Sequence, residues 1–160
     1  MRRYFFILSI IVFNLFPTGR GVSCEVYFSR RDNCRRVICD LIDSAERSID
    51  FAYYILTDVE ITKSLELAKK RGVKVRGLVD KSLSNNKSSN KLKDNGIIKT
   101  LSKKNGIMHH KFMIIDREIV LTGSYNLTYS AYMKNDENFV LIHNDSIAAE
   151  YFQEFIRLNK

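Results

Sequence analysis

Residues 109 to 126 read His109-His110-Lys111-Phe112-Met113-Ile114-Ile115-Asp116-Arg117-Glu118-Ile119-Val120-Leu121-Thr122-Gly123-Ser124-Tyr125-Asn126. His109, Lys111 and Asp116 take the spacing H-x-K-x4-D, and Gly123-Ser124-x-Asn126 follows after six intervening residues. A strand over residues 108–115 alternates its side chains between two faces, so His109 and Lys111 point the same way and His110 the other. An imidazole then sits beside a fixed cation on one surface, as attack on a phosphate ester requires. Asp116-Arg117 reads as a turn into a second strand over residues 118–121, giving an antiparallel pair.

The surrounding residue types suit the same chemistry. Imidazole titrates near neutrality, so His109 can serve as an unprotonated nucleophile or a protonated acid. Lys111 matches the non-bridging oxygens of a phosphate. Ser124 and Asn126, placed after a glycine that permits a close turn, offer short polar donors to that anion. Glu137, eleven residues beyond Asn126, can hold an imidazole N–H and fix its tautomer, as the third member of a triad does. A lone His-x-Lys would read as the exposed face of an edge strand. The joint pattern of His, Lys, Asp, Gly-Ser-x-Asn and a downstream Glu137-Asn138 argues against that reading.

This composite resembles the signature of the phospholipase D superfamily, over roughly residues 25–158 and including the Gly72-to-Asp80 stretch GVKVRGLVD. The resemblance implies roles. His109 is the nucleophile, or the acid that protonates the leaving group. Lys111 and Asn126 bind the phosphate, assisted by Ser124. Asp116 completes the catalytic motif but is held away from the phosphate, supporting the local architecture, and Glu137 orients a catalytic histidine. No metal and no cofactor is implied. His143 has no lysine two residues on, and with three histidines in the chain no second motif exists. Two imidazoles are nevertheless needed, one to attack phosphorus and one to protonate the departing oxygen. The resemblance therefore implies a single-motif protomer working as a homodimer, whose two-fold axis passes through the active site.

Outward from the motif, the chain reads as α/β. Glu25 to Ser29 is a short strand, and residues 33–47 carry a helical stripe of Val37, Ile38, Leu41, Ile42 and Ala45 with Asp32 as its cap. Residues 48–56 form a buried strand. Thr57-Asp58-Val59-Glu60 reads as a capping box opening a helix with Ile61, Leu65 and Ala68 inward, stopped by Gly72. Residues 73–80 are a third strand, residues 97–101 a fourth and residues 138–143 another. Residues 146–158 form a helix with Ile147, Ala148, Tyr151, Phe152 and Phe155 on one face. The polar segment 81–95 is assigned no buried role. Strand and helix alternation predicts a mixed, largely parallel β-sheet flanked by helices, a phospholipase D-like fold.

With 160 residues, 45% apolar, the chain supports one domain with its own core. Residues 1–23 read as a signal peptide or membrane anchor and residues 24–160 as the phosphodiesterase domain. Arg2-Arg3 precede an apolar run from Tyr4 to Phe16, which as a helix spans about 20 Å, short of the ~30 Å hydrocarbon core. Pro17 and the small residues Gly21 and Ser23 before Cys24 fit an export signal. The expected location is secreted or periplasmic, with anchoring at a membrane surface as the alternative. Gly21-Val22-Ser23-Cys24 also faintly resembles a lipoprotein cleavage box, with Gly21 where that box prefers Leu. Cys24, Cys34 and Cys39 have no metal-ligand spacing and read as small buried apolar side chains. If Cys34 and Cys39 share a helix they lie too far apart to bridge, whereas Cys24 could pair with either one.

The net charge is +8, and removing residues 1–23 takes away Arg2, Arg3 and Arg20 and no acid, leaving +5. A basic surface attracts nucleic acid or anionic phospholipid alike. Three functions fit: a nuclease, favoured by basic residues at Lys69-Lys70-Arg71, Lys74, Arg76 and between Lys81 and Lys104; a phospholipase, compatible with the apolar N-terminus and with Tyr53, Tyr54, Tyr125, Tyr129 and Tyr132; and a non-catalytic polyanion-binding module. Charge favours nucleic acid.

Overall fold

A computed structural model describes residues 22–160. All but the last two residues of the segment read as a leader or anchor lie outside it. Seven strands form one sheet in the order β1-β7-β6-β5-β2-β3-β4: β1 Ser23–Phe28, β2 Ser48–Tyr53, β3 Lys74–Asp80, β4 Ile98–Leu101, β5 Lys111–Ile115, β6 Ile119–Gly123 and β7 Asn138–His143. The helices are α1 Cys34–Ser44, α2 Val59–Lys70, α3 Lys87–Asp94, α4 Tyr129–Met133 and α5 Asp145–Leu158.

The mixed α/β architecture matches the sequence, but the sheet is mostly antiparallel. Only β2–β3 and β3–β4 pair in parallel, while β1–β7, β7–β6, β6–β5 and β5–β2 are antiparallel. The helical crossovers α2 and α3 force the first two pairings. The second half of the chain returns by a tight hairpin and by the connection around α4, and such returns give antiparallel neighbours.

Side-chain alternation divides the core. On β2 and β5, Ile49, Phe51, Tyr53, Met113 and Ile115 join the cluster beneath α1 and α2, whereas Ala52, Phe112 and Ile114 pack with Ala148 and Phe155 of α5. On the α5 side, buried Asp50 faces two cations, Arg76 Nε at 2.6 Å and Arg117 Nε at 3.2 Å. No helix among the described residues is long and apolar enough to cross a membrane.

Local signals differ in detail. Asn33, not Asp32, caps α1 by accepting from the Arg36 N–H, while Asp32 accepts from the Phe28 N–H at 2.8 Å and closes the preceding turn. The Thr57–Glu60 box does not form. Asp58 is the cap of α2, accepting from the Glu60 and Ile61 N–H groups and pairing with Arg35 at 3.0 Å. Segment 81–95 does have buried residues. Leu92 joins the core, and the hydroxyls of Ser88 and Ser89 donate to the Thr57 and Leu56 carbonyls, both at 3.0 Å. Cys34 and Cys39 share α1, but Cys24 is exposed rather than buried.

Candidate active site

Of the motif residues, all but Asp116 gather at one end of the sheet because of how its strands are paired. Tyr53 at the end of β2 pairs with Lys111 at the start of β5, and the Tyr54 N–H donates to the His110 carbonyl at 2.9 Å. Phe112 pairs with Thr122, so β6 ends beside Lys111. Its last residue, Gly123, pairs with Phe139 near the start of β7. Four chain segments therefore meet there, carrying Tyr54, His109–Lys111, Ser124–Asn126 and Glu137.

His109 is exposed and lies just before the β5 ladder, but strand parity still holds. The Lys111 ammonium sits 3.3 Å from each ring nitrogen of His109 and donates to its carbonyl at 3.1 Å. The Tyr54 ring lies against the imidazole, and the ammonium is 5.6 Å from the Tyr54 ring centre. Burial lowers the Lys111 pKa from its ordinary value, and the Glu137 carboxylate works against that shift. Both the cation and the imidazole are thus held before any anion arrives.

Asn126 is fixed through its neighbour. Leu127 bridges Leu56, and its carbonyl accepts from the Thr57 and Asp58 N–H groups at 2.9 and 3.0 Å. The side-chain oxygen of Asn126 is buried without a hydrogen-bond partner. A buried unpartnered amide costs free energy that a bound ligand can return. Asn126 as a whole is half-buried, and its amide nitrogen is the end that can donate to a phosphate oxygen.

Glu137 meets Ser124 and Asn135 rather than an imidazole of its own chain. The Ser124 hydroxyl donates at 2.5 Å and the Asn135 amide at 2.9 Å. Its backbone N–H is held by the Ser29 hydroxyl at 2.9 Å. Ser124 is thus oriented by Glu137 and by the Asn138 N–H, 3.1 Å away.

Asp116 is at the other end of β5, roughly 16 Å along the strand from Lys111. It stands apart from the cluster around His109. Its carboxylate accepts from the N–H groups of Glu46, Arg47 and Ser48 at 2.9, 2.7 and 2.7 Å. Burial works to raise its pKa, but these three donors and the nearby Arg47 charge outweigh it and hold the group below the ordinary value. Asp116 and Arg117 both adopt left-handed backbone, φ 52° and 63°, in a tight turn that suits Asp better than Arg.

The other two histidines are elsewhere. His110 faces α5 and pairs with Glu154 at 3.0 Å, while His143 pairs with Glu25 at 2.9 Å beside β1. Tyr53 and Tyr125 are buried, and Tyr132 packs beneath Arg35, whose guanidinium carbon is 3.8 Å from its ring centre. Among the described residues no three His, Cys, Asp or Glu side chains converge as metal ligands. Tyr54 is the site residue the motif did not signal.

Residues 38–159 match the family model described as cardiolipin synthase, phospholipase D-like domain. The chain belongs to the phospholipase D superfamily. It is 38% identical over 151 residues to a phospholipase D of Rickettsia conorii, an alignment covering 93% of this chain and 75% of that one. It is 30% identical to a mitochondrial cardiolipin hydrolase of Xenopus laevis, with 77% of this chain and 59% of that protein covered. Among solved structures it resembles Nuc from Salmonella typhimurium, a phospholipase D family member, at 33% identity and a TM-score of 0.79, covering 86% of this chain and 94% of that one. The chain is accordingly a phosphodiesterase of the phospholipase D type.

Proposed function

We propose that this chain hydrolyses phosphodiesters without a metal, through a phosphohistidine on His109, in an active site shared by two copies of the chain. One observation carries the reading: a single imidazole stands at the site, since His110 and His143 are committed to Glu154 and Glu25 elsewhere. A second copy related by a two-fold axis supplies the second imidazole.

One His109 attacks phosphorus, forming the P–N bond, while the second copy's His109 gives its proton to the departing oxygen as the P–O bond breaks. Water then attacks the phosphohistidine, losing its proton to that second imidazole, and the P–N bond breaks. Lys111 and Asn126 stabilise charge on the non-bridging oxygens. Ser124 stays oriented by Glu137, whose imidazole partner comes from the second copy.

Nucleic acid is the substrate favoured by the basic surface. The names of the rickettsial and amphibian relatives favour phospholipid as the second reading. Export, or attachment to a membrane surface through residues 1–23, remains part of this proposal. DNA, RNA and anionic phospholipid vesicles are offered separately, in EDTA, to wild type and to His109→Ala. Cleavage of nucleic acid by wild type alone is expected. Cleavage of lipid alone overturns the nuclease reading, and dependence on added Mg²⁺ or Zn²⁺ overturns the mechanism.

A further inference from the structure

Parallel strands β2, β3 and β4 all end on the edge of the sheet that carries His109. There the short 3-10 turn Lys81–Leu83, leaving β3, and residues 102–107, leaving β4, enclose a cleft of about 400 Å3. Lys81, Ser82, Ser102, Lys103 and Ile107 line it together with Asp80. Ile107 is two residues before His109, so the cleft opens within about 8 Å of chain from the imidazole.

Asp80 is the only carboxylate among the lining residues, and it is buried with its acceptors taken. One oxygen accepts from the Ser82 N–H at 2.9 Å and the Ser82 hydroxyl at 2.5 Å, and the other accepts from the Met108 N–H at 2.7 Å. Those donors occupy both oxygens, the nearby Lys103 charge balances the carboxylate further, and the bond to Met108 fixes the cleft against the residue preceding His109. Among the described residues Lys81 and Lys103 form no ion pair, whereas Arg35, Arg47, Arg76 and Lys91 are each committed to a carboxylate. Nor does any backbone N–H of residues 103–107 donate to a backbone carbonyl among the described residues. Ammonium groups without a direct ion pair and backbone N–H groups without a backbone acceptor together suit a second anion.

We propose that this cleft is a second phosphate subsite, taking the phosphate next to the scissile one along a nucleic acid strand. The inference rests on the nuclease reading above. A substrate with one phosphate cannot use the subsite, whereas a polynucleotide engages both positions and gains affinity at no cost to the chemistry at His109.

The test compares wild type with Lys81→Ala/Lys103→Ala in EDTA on two substrates, bis(4-nitrophenyl) phosphate and a single-stranded oligodeoxynucleotide. Both lysines are exposed, and the small diester reports whether the variant retains its active site. The variant is expected to hydrolyse the small diester like wild type, while its KM for the oligonucleotide rises about tenfold or more. Its salt slope for oligonucleotide binding becomes shallower by about 0.7, the value for one phosphate contact on a single strand. An unchanged oligonucleotide KM, or an equal loss on both substrates, overturns the subsite alone. Wild type that hydrolyses the small diester and never the oligonucleotide overturns the nuclease reading, and the subsite with it.

Discussion

Tyr54 and His109 face one another with ring centres 4.6 Å apart and planes inclined by 57°. Tyr54 also ties the motif to β2, since its N–H donates to the His110 carbonyl. The aromatic ring thus limits where the imidazole can turn. An aromatic contact of this kind contributes about 0.5–1.5 kcal/mol, so Tyr54→Ala lowers kcat about 2- to 12-fold. Tyr54→Phe keeps the ring and stays near wild type. Steady-state kinetics on a small diester check both, and an unaffected Tyr54→Ala removes the residue from the site.

Asn126 separates stability from activity. Its buried amide oxygen has no partner, so Asn126→Ala leaves the thermal midpoint near or above that of wild type. If the amide binds the phosphate as charge develops, the same change lowers kcat about 10²- to 10³-fold. Calorimetry and kinetics on one preparation settle the pair. A large loss of stability instead makes Asn126 a structural residue.

Asp116 behaves in the opposite way. Three backbone N–H groups lose their acceptor in Asp116→Ala, which destabilises the fold by about 1.5–3 kcal/mol at neutral pH. The folded pKa lies below the ordinary carboxylate value. Its stabilisation is therefore fully present above the unfolded value of ~3.9 and is lost as pH falls through the folded value. Denaturant titrations of both proteins should converge as pH drops below about 4. A gap that persists unchanged into that range assigns the effect to packing.

Gly123 stands where β6 reaches the site. A Cβ there would lie 2.3 Å from the Asn138 carbonyl oxygen and 2.6 Å from the Phe139 Cα, both backbone atoms that cannot swing aside. Gly123→Ala pushes β6 from β7, costing about 1–3 kcal/mol, and displaces Ser124 from Glu137. Lower stability and lower kcat are expected together. Wild-type activity in a folded Gly123→Ala protein contradicts the close approach.

The motif was legible because its constraints are local. Strand parity alone separates His109 and Lys111 from His110, and the structure sends His110 to Glu154 on α5. The left-handed pair Asp116–Arg117 was likewise readable as a turn. Sheet order was not, because which strand β1 or β5 meets is decided by distant surfaces; the visible βαβ units of β2, β3 and β4 made the sheet read as parallel. Ser88 and Ser89 look like loop residues by composition, and only the Leu56 and Thr57 carbonyls above them make burial favourable. Tyr54 carries no motif, and its role depends on β2 lying beside β5.

The most direct measurement uses heterodimers in which only one of the two copies carries His109→Ala, isolated through two different affinity tags. If both imidazoles serve one shared site, these heterodimers are as inactive as the His109→Ala homodimer. Heterodimers that keep half or more of the wild-type rate, or a wild-type protein that is monomeric and fully active, contradict a shared site.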